Sequence, residues 1–312
     1  MSIRILCGSF SIIFKLFGMA NLKQIKTKIK SVSNLKKITR ALEIVSTVKL
    51  QKVKEKAEWL KQYLLDLMAV LSHIENSADL FEIVERSQST RTLVVVITSE
   101  RWLCWWLNVK LLKKVMEEHP VSDQVDYFVL GKKWSEYIAR VWWNVLWTLH
   151  IWDSFDEEEL TALYVTLDNA IDTKSYGNIM LYFNYFKNSM AQLPASVPLL
   201  QFTKKTFDAF LYDIWVSYDF AYDIGQKDIL VEPNAYEFLM EARRQIRHYM
   251  IASALLQNKA WEHAARMIAM KNATDNARDF VDTLTLSFNK ARQWAITQEI
   301  SEIVSAKIAI EW

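Results

Sequence analysis

Ala277-Arg278-Asp279-Phe280-Val281-Asp282-Thr283-Leu284-Thr285-Leu286-Ser287-Phe288-Asn289-Lys290-Ala291-Arg292-Gln293-Trp294-Ala295 is the stretch that decides how this chain is read. Its residues Ala277, Val281, Leu284, Phe288, Ala291 and Ala295 follow at steps of four, three, four, three and four. That is a coiled-coil seam, one apolar stripe held against a partner helix. From Asn234 to Trp312 there is neither proline nor glycine. The main helix breakers are therefore missing, and the whole flank can be one helix. A helix of about 75 residues is about 110 Å long at about 1.5 Å per residue. A compact globule of this chain length has a radius of gyration of only about 20 Å. Such a helix is expected to project and to need a receiving partner.

The other end repeats the pattern. Ala20 to His119 is also free of proline and glycine. Leu22, Ile25, Ile29 and Val32 stand three, four and three apart, and after a step of three the spacing repeats at Leu35, Ile38, Leu42 and Val45. The short step predicts a stammer, which overwinds a coiled coil locally. Two amphipathic helices at opposite ends of a chain, joined through a folded middle, most simply form an antiparallel pair. An ordinary helical bundle is the competing architecture, but globular helices average only about 11–12 residues.

The middle has a different period. Leu93-Val94-Val95-Val96-Ile97 is a short apolar run rich in β-branched residues, which predicts a strand buried on both faces. Further strands are expected at 125–130, 144–151 and 178–186 and within 189–202, with helices at 103–118, 132–141 and 156–172. The last of these opens on Asp156-Glu157-Glu158-Glu159, a charge placement that suits a helix N-terminus. Alternating strands and helices predict an α/β, Rossmann-like domain with a mainly parallel sheet. The expected organisation is an N-terminal coiled-coil helix at 19–80, the α/β domain at 90–203, a connecting segment at 204–232 and a C-terminal coiled-coil helix at 233–312. Residues 1–18 read as an over-extended start, with Met19 the initiator, or as a targeting segment.

Charge and composition narrow the function. Between Asn21 and Lys56 there are eleven Lys or Arg against two acids, Glu43 and Glu55. A solvated helix face, a basic rod inside a polar partner, or a basic coiled-coil nucleic-acid-binding protein carrying an α/β domain would each account for that. Cys7 and Cys104 suggest no disulfide framework and fit a reducing compartment. The sequence holds no phosphate-binding glycine loop, no GxGxxG and no CxxC pair, and its five histidines lack metal-ligand spacing. No catalytic residue, cofactor or metal is expected.

Two further stretches carry a resemblance. Glu262-His263-Ala264-Ala265-Arg266-Met267-Ile268-Ala269-Met270-Lys271-Asn272-Ala273-Thr274-Asp275-Asn276-Ala277 is similar to the gamma subunit of F-type ATP synthase. So is Asn289-Lys290-Ala291-Arg292-Gln293-Trp294-Ala295-Ile296-Thr297-Gln298-Glu299-Ile300, and Met19-Ala20-Asn21-Leu22-Lys23-Gln24-Ile25-Lys26 with Lys37-Ile38-Thr39-Arg40-Ala41-Leu42-Glu43 resembles that family's opening helix. The resemblance implies a non-catalytic rotor shaft, one copy per complex, coupling ion-driven rotation of a membrane ring to ATP synthesis or hydrolysis. It implies alpha, beta, epsilon and ring-forming c subunits as partners, no nucleic acid, and a peripheral place on the cytoplasmic face of the inner membrane. It also implies that Arg292, Gln293 and Thr297 meet the catch loops of the beta subunits.

One departure from the family is systematic. Ser99-Glu100-Arg101-Trp102-Leu103-Cys104-Trp105-Trp106-Leu107-Asn108 has three Trp where the family pattern has Gly, and Trp134, Trp142 and Trp143 stand at similar places. The chain has 13 Trp and 5 Gly, whereas average usage would give about 22 Gly. Trp and Gly are not exchangeable at turns needing φ > 0. The reading is that UGA codons decoded as Gly in the cell stand here as Trp, with positions 261 and 294 as further instances.

Overall fold

The computed structural model describes residues 3–71, 80–81, 88–99, 105–141, 144–150, 157–186, 192–213, 232 and 234–310. The chain divides into two compact units, Ser46–Arg266 and Met1–Val45 with Met267–Trp312. Two long helices supply parts of both: α1 (Ile3–Leu71) and α6 (Ala235–Ile310). The start of α6 is set by a reciprocal cap. Asn234 Oδ1 accepts from the Glu237 backbone N–H at 2.9 Å, while Asn234 Nδ2 donates to Glu237 Oε1 at 3.0 Å. One backbone N–H that helix initiation would leave bare is thus paired, and the two side chains hold each other in place.

The larger unit is built on a five-stranded sheet of order β3-β2-β1-β4-β5. Its strands are β1 (Thr92–Ile97), β2 (Val125–Leu130), β3 (Val145–Leu149), β4 (Asn178–Phe186) and β5 (Gln192–Pro198). The central strand is the continuous apolar run, with Leu93 to Val96 wholly buried. Alternation divides it between two layers. Val94 and Val96 pack with Leu111 and Val115 of α2 (Trp105–Glu118) and Ile138 of α3 (Lys132–Val141). Leu93 and Val95 pack with Leu163 and Leu167 of α4 (Glu157–Asp172), with Leu64 and Met68 of α1 and with Ile246 and Met250 of α6. Helices on both faces are what a parallel sheet requires.

β5 is antiparallel to β4. Residues 187–191 are all that separate them, and a parallel return needs a dozen residues or more. The stretch 204–232, too irregular to assign from the sequence, begins with α5 (Lys204–Asp213), whose start is closed by Thr203 and Thr206 exchanging backbone-to-hydroxyl bonds. The later part of that connection, like residues 72–79 of the expected N-terminal helix, lies outside the described residues.

Backbone demands explain two of the glycines. Gly131 has φ of +121°, and a Cβ there would lie 2.3 Å from Thr98 Oγ1. A Cβ on Gly177 would lie 2.1 Å from the Ser89 carbonyl oxygen. Only a residue without a side chain fits either place.

Polar clasps hold both ends of the sheet. At the amino ends of β1 and β2, Arg91 grips Asp126 with Nε at 3.1 Å and Nη2 at 2.6 Å, and Tyr176 Oη donates to the same carboxylate at 3.0 Å. Burial, reinforced by the carboxylate, pushes the Tyr176 hydroxyl up to about 12. At the carboxyl end of β1, fully buried Asn108 donates to Ser99 Oγ at 2.7 Å and accepts from the Ser99 N–H at 3.2 Å. In open α/β sheets the crevice at the carboxyl ends of the strands is where ligands bind. Here that end of the central strand carries a side-chain latch. Among the described residues no His, Cys, Asp or Glu cluster suits a metal ion, and no helix is long and apolar enough to cross a membrane.

Candidate functional surfaces of the paired end helices

In the smaller unit the two helices run against each other. Thr274 Oγ1 donates to Thr39 Oγ1 at 2.8 Å, and Thr39 Oγ1 donates to the Lys36 carbonyl at 3.1 Å. Both threonines are buried, at 4% and 7% exposure. On α6 beyond Asn276 the less exposed positions are Ala277, Val281, Leu284, Phe288, Ala291, Ala295, Gln298 and Glu302, which with buried Thr274 make an unbroken alternation of threes and fours.

On α1 the inward positions differ from the expected seam. Ile25, Ile29 and Val32 are half-buried, but Leu35, Ile38, Leu42 and Val45 are exposed at 53%, 57%, 39% and 50%. There is no stammer. The alternation runs on from Val32 through Lys36, Thr39, Glu43 and Ser46 to Leu50 and Val53. Ile38, Leu42 and Val45 are therefore corrected from seam to outer surface. Two α-helices keep a constant register more cheaply than they absorb a local overwinding, and the polar inward residues find partners. The threonines bond each other, and Glu43 accepts from Arg40 Nη1 at 2.7 Å. The sequence held a signal for this, since Lys36, Thr39 and Glu43 continue the three-four spacing that Ile25 begins.

α1 thus has inverted amphipathicity over one stretch, with polar residues turned toward α6 and an apolar stripe turned away. Exposed lysines flank the stripe, among them Lys37. Contiguous outward apolar residues on a soluble helix mark an interaction surface.

Arg292, Gln293 and Thr297 are all exposed on α6. Thr297 Oγ1 donates to the Gln293 carbonyl at 3.0 Å, which ties the hydroxyl to its own helix. Arg292 makes no ion pair among the described residues and leaves its guanidinium facing solvent. The structure brings these three to one end-region of α6, at helical spacing, without assigning them a partner.

The tryptophans divide into several kinds. Trp102, Trp142 and Trp143 lie outside the described residues. Trp105 and Trp106 open α2, and Trp134 is the third residue of α3. These three have helical backbone, so the expectation of tight turns with φ > 0 is corrected for them. Trp134 is buried against the α2 layer, edge-on to Tyr137 with ring centres 5.6 Å apart. Trp261 is buried among Ala57, Ala260, Ala264 and Ala265, and its indole N–H has no hydrogen-bond partner among the described residues. Trp59 and Trp294 are exposed at 83% and 53%.

Comparison with known proteins gives a consistent result. The sequence profile of a family described as ATP synthase matches residues 21–310. The ATP synthase gamma chain of Xanthomonas axonopodis pv. citri is 36% identical over 300 residues, which covers 94% of this chain and 100% of the relative. That of Stenotrophomonas maltophilia is 35% identical over the same shares. Among solved structures, a chain from the cryo-EM structure of the Euglena gracilis mitochondrial ATP synthase aligns with a TM-score of 0.62 at 15% identity, covering 93% of this chain and 95% of that one. A chain of the Tetrahymena thermophila mitochondrial ATP synthase central stalk and c-ring aligns at 0.55 and 20% identity, over 76% of this chain and 99% of that one. At such identities the structural likeness speaks to fold. The nucleic-acid reading finds no support among these proteins.

Proposed function

The chain belongs to the ATP synthase gamma chain family, and from that premise we propose that it is the non-catalytic central shaft of a rotary ATP synthase. One copy stands in a ring of alternating alpha and beta subunits, and the α/β domain meets the epsilon subunit and the membrane ring of c subunits. Ion flow turns the ring, and the shaft carries that rotation to the nucleotide sites of other subunits. The place proposed is peripheral, on the cytoplasmic face of the inner membrane.

The observation that carries this reading is the inverted stretch of α1. A helix pair that turned its apolar residues inward would be self-sufficient. This one bonds its mates through Thr39 and Thr274 and leaves Leu35, Ile38, Leu42 and Val45 outside. An apolar bearing surface can slide in a sleeve because dispersion and hydrophobic contacts are non-directional. A two-helix shaft also lacks the symmetry of a ring around it. At any angle, each surrounding subunit meets a different face, and that difference is what can make equivalent sites behave unequally.

Arg292, Gln293 and Thr297 are proposed as the directional contacts with the beta subunits. Arg292 can present a charge-assisted fork to a carboxylate, the stronger kind of hydrogen bond, and Gln293 and Thr297 share a face four residues apart. The reading is tested by co-expression with alpha and beta subunits. Leu42→Lys should fold but fail to hold the ring, whereas an equally stable assembly would remove the proposed bearing.

Glycine is proposed in place of tryptophan at most of the suspect positions. The support is compositional, together with Trp261, where a buried indole N–H without a partner costs about 1–3 kcal/mol. Intact-mass measurement of the native protein decides it: a mass matching all thirteen Trp would exclude recoding.

A further inference from the structure

Within the larger unit, α6 packs on the sheet and on α4 largely through apolar residues such as Ile246, Met250 and Ala254. Hydrophobic attraction is non-directional, whereas a hydrogen bond weakens steeply when its partners are turned out of line. The polar bonds of α6 therefore report which rotations of the helix are resisted. Arg243 anchors its foot on the Leu80 and Leu200 carbonyls. Beyond the foot, two sets of bonds take hold. His248 Nε2 donates to Asp168 Oδ2 of α4 at 2.9 Å, and its ring lies flat on Tyr164 of the same helix, with ring centres 4.1 Å apart. The His248 and Asp168 side chains are only 19% and 18% exposed. Arg244, one turn earlier, approaches the same carboxylate at 3.8 Å and Asp172 at 3.7 Å. The second set reaches β4. Gln257 Oε1 accepts from the Phe186 N–H at 3.3 Å, and Asn258 Oδ1 accepts from Asn184 Nδ2 at 3.2 Å.

His248 and Gln257 stand nine residues apart. That is about two and a half turns of helix, so the two side chains leave α6 on opposite flanks. Bonds on one flank of a cylinder can be followed by a small tilt. Bonds on opposite flanks act as a couple, because a roll about the helix axis strains both at once. We propose that His248 with Asp168, and Gln257 with the Phe186 N–H, form a torsional clamp that passes twist from the α/β domain into α6. His248, Asp168 and Gln257 are positioning residues in this role, and Tyr164 keeps the imidazole in the plane its bond requires. Arg244 adds little by itself, because its contacts are longer and the side chain is partly in solvent. The inference rests on the rotor reading, in which rotation enters at the α/β domain and leaves through the end helices. That reading requires a firm joint between the two, and these bonds supply one.

The test is the angular fluctuation of a bead carried by the α/β domain while the surrounding ring is fixed to a surface and the motor waits for ATP. Asp168→Leu takes from His248 and Arg244 the carboxylate they share, at similar volume. The variance of the bead angle should be about twice that of the unaltered chain, because thermal spread varies inversely with stiffness. ATP turnover at saturating ATP should not change. Leu163→Met alters the packing of the same helix without touching the bonds, and should leave the variance as it was. An unchanged variance in Asp168→Leu would overturn the clamp and leave the shaft reading standing. Equal broadening in Leu163→Met would also overturn it, because ordinary packing would then set the stiffness. Should Asp168→Leu fail to assemble, His248→Phe keeps the stack on Tyr164 and drops the bond. It should broaden the spread in the same sense, and a spread equal to that of the unaltered chain would count against the clamp. An unaltered chain whose bead never turns with ATP would sink the shaft reading and the clamp together.

Discussion

Arg243 shows how much one side chain can be asked to do. It is 1% exposed, donates from Nη1 to the Leu80 carbonyl at 2.9 Å and from Nη2 to the Leu200 carbonyl at 3.0 Å, and lies 4.1 Å above the Phe202 ring. It ties the start of α6 to two otherwise separate stretches of the α/β unit. Arg243→Ala would leave two buried carbonyls short of a donor as well as a cavity, and should cost about 3–5 kcal/mol of stability. Urea unfolding of the isolated chain checks this, and a loss under about 1 kcal/mol would mean that solvent reaches the site. Arg292 and Gln293 are the opposite case. Both are exposed, so Arg292→Ala with Gln293→Ala should leave unfolding unchanged within about 0.5 kcal/mol. The same double variant should lower rotation-coupled ATP synthesis, or make assembly labile at moderate salt. Truncation after Ile300 should be milder. Normal coupling in the double variant with loss on truncation would move the directional contact to the tip. None of this was visible for Arg243 in the sequence, where an arginine at the start of a helix reads as surface charge. Its burial depends on Leu80 and Leu200, which only the folded chain brings near.

At the scale of elements, the sheet was the most legible part. Leu93 to Ile97 is an apolar run, and Val125 to Leu130 is apolar but for Asp126; both are too short for helices, and both are strands. α5 was not legible, because Lys204 to Asp213 offers too few turns for a period to stand out. The seam of α1 was legible only as far as Val32. Beyond it, apolar periodicity tells that a stripe exists but not whether it faces the sister helix or something else. The inward positions Lys36, Thr39 and Glu43 look like surface until the register is known. This leads to a contrast between two substitutions. Ile38→Glu changes the outer stripe and should leave the free chain's helicity and unfolding intact while blocking assembly with the ring. Thr274→Val changes the inner face, takes away the proton held by Thr39 and should lower free-chain stability by about 1 kcal/mol. Circular dichroism melts and co-purification read out the two effects separately. Reversal of the pattern would return Ile38 and its neighbours to the seam.

For the whole molecule, the proposed role is that of a non-catalytic shaft that transmits motion. Its family sets that expectation, and the outward stripe of α1 gives it a physical basis. Isolated chain should therefore show no ATP turnover above background, and a turnover removed by a single change within residues 90–200 would contradict that. The most direct measurement is single-molecule rotation. The alpha–beta ring is fixed to a surface, a bead is attached to the exposed α/β domain of this chain, and ATP is added. The account predicts stepwise rotation in one direction at a rate that follows ATP turnover, and its arrest when the chain is cross-linked to the ring. A bead that stays fixed while ATP is hydrolysed at full rate would show that the chain is not the shaft.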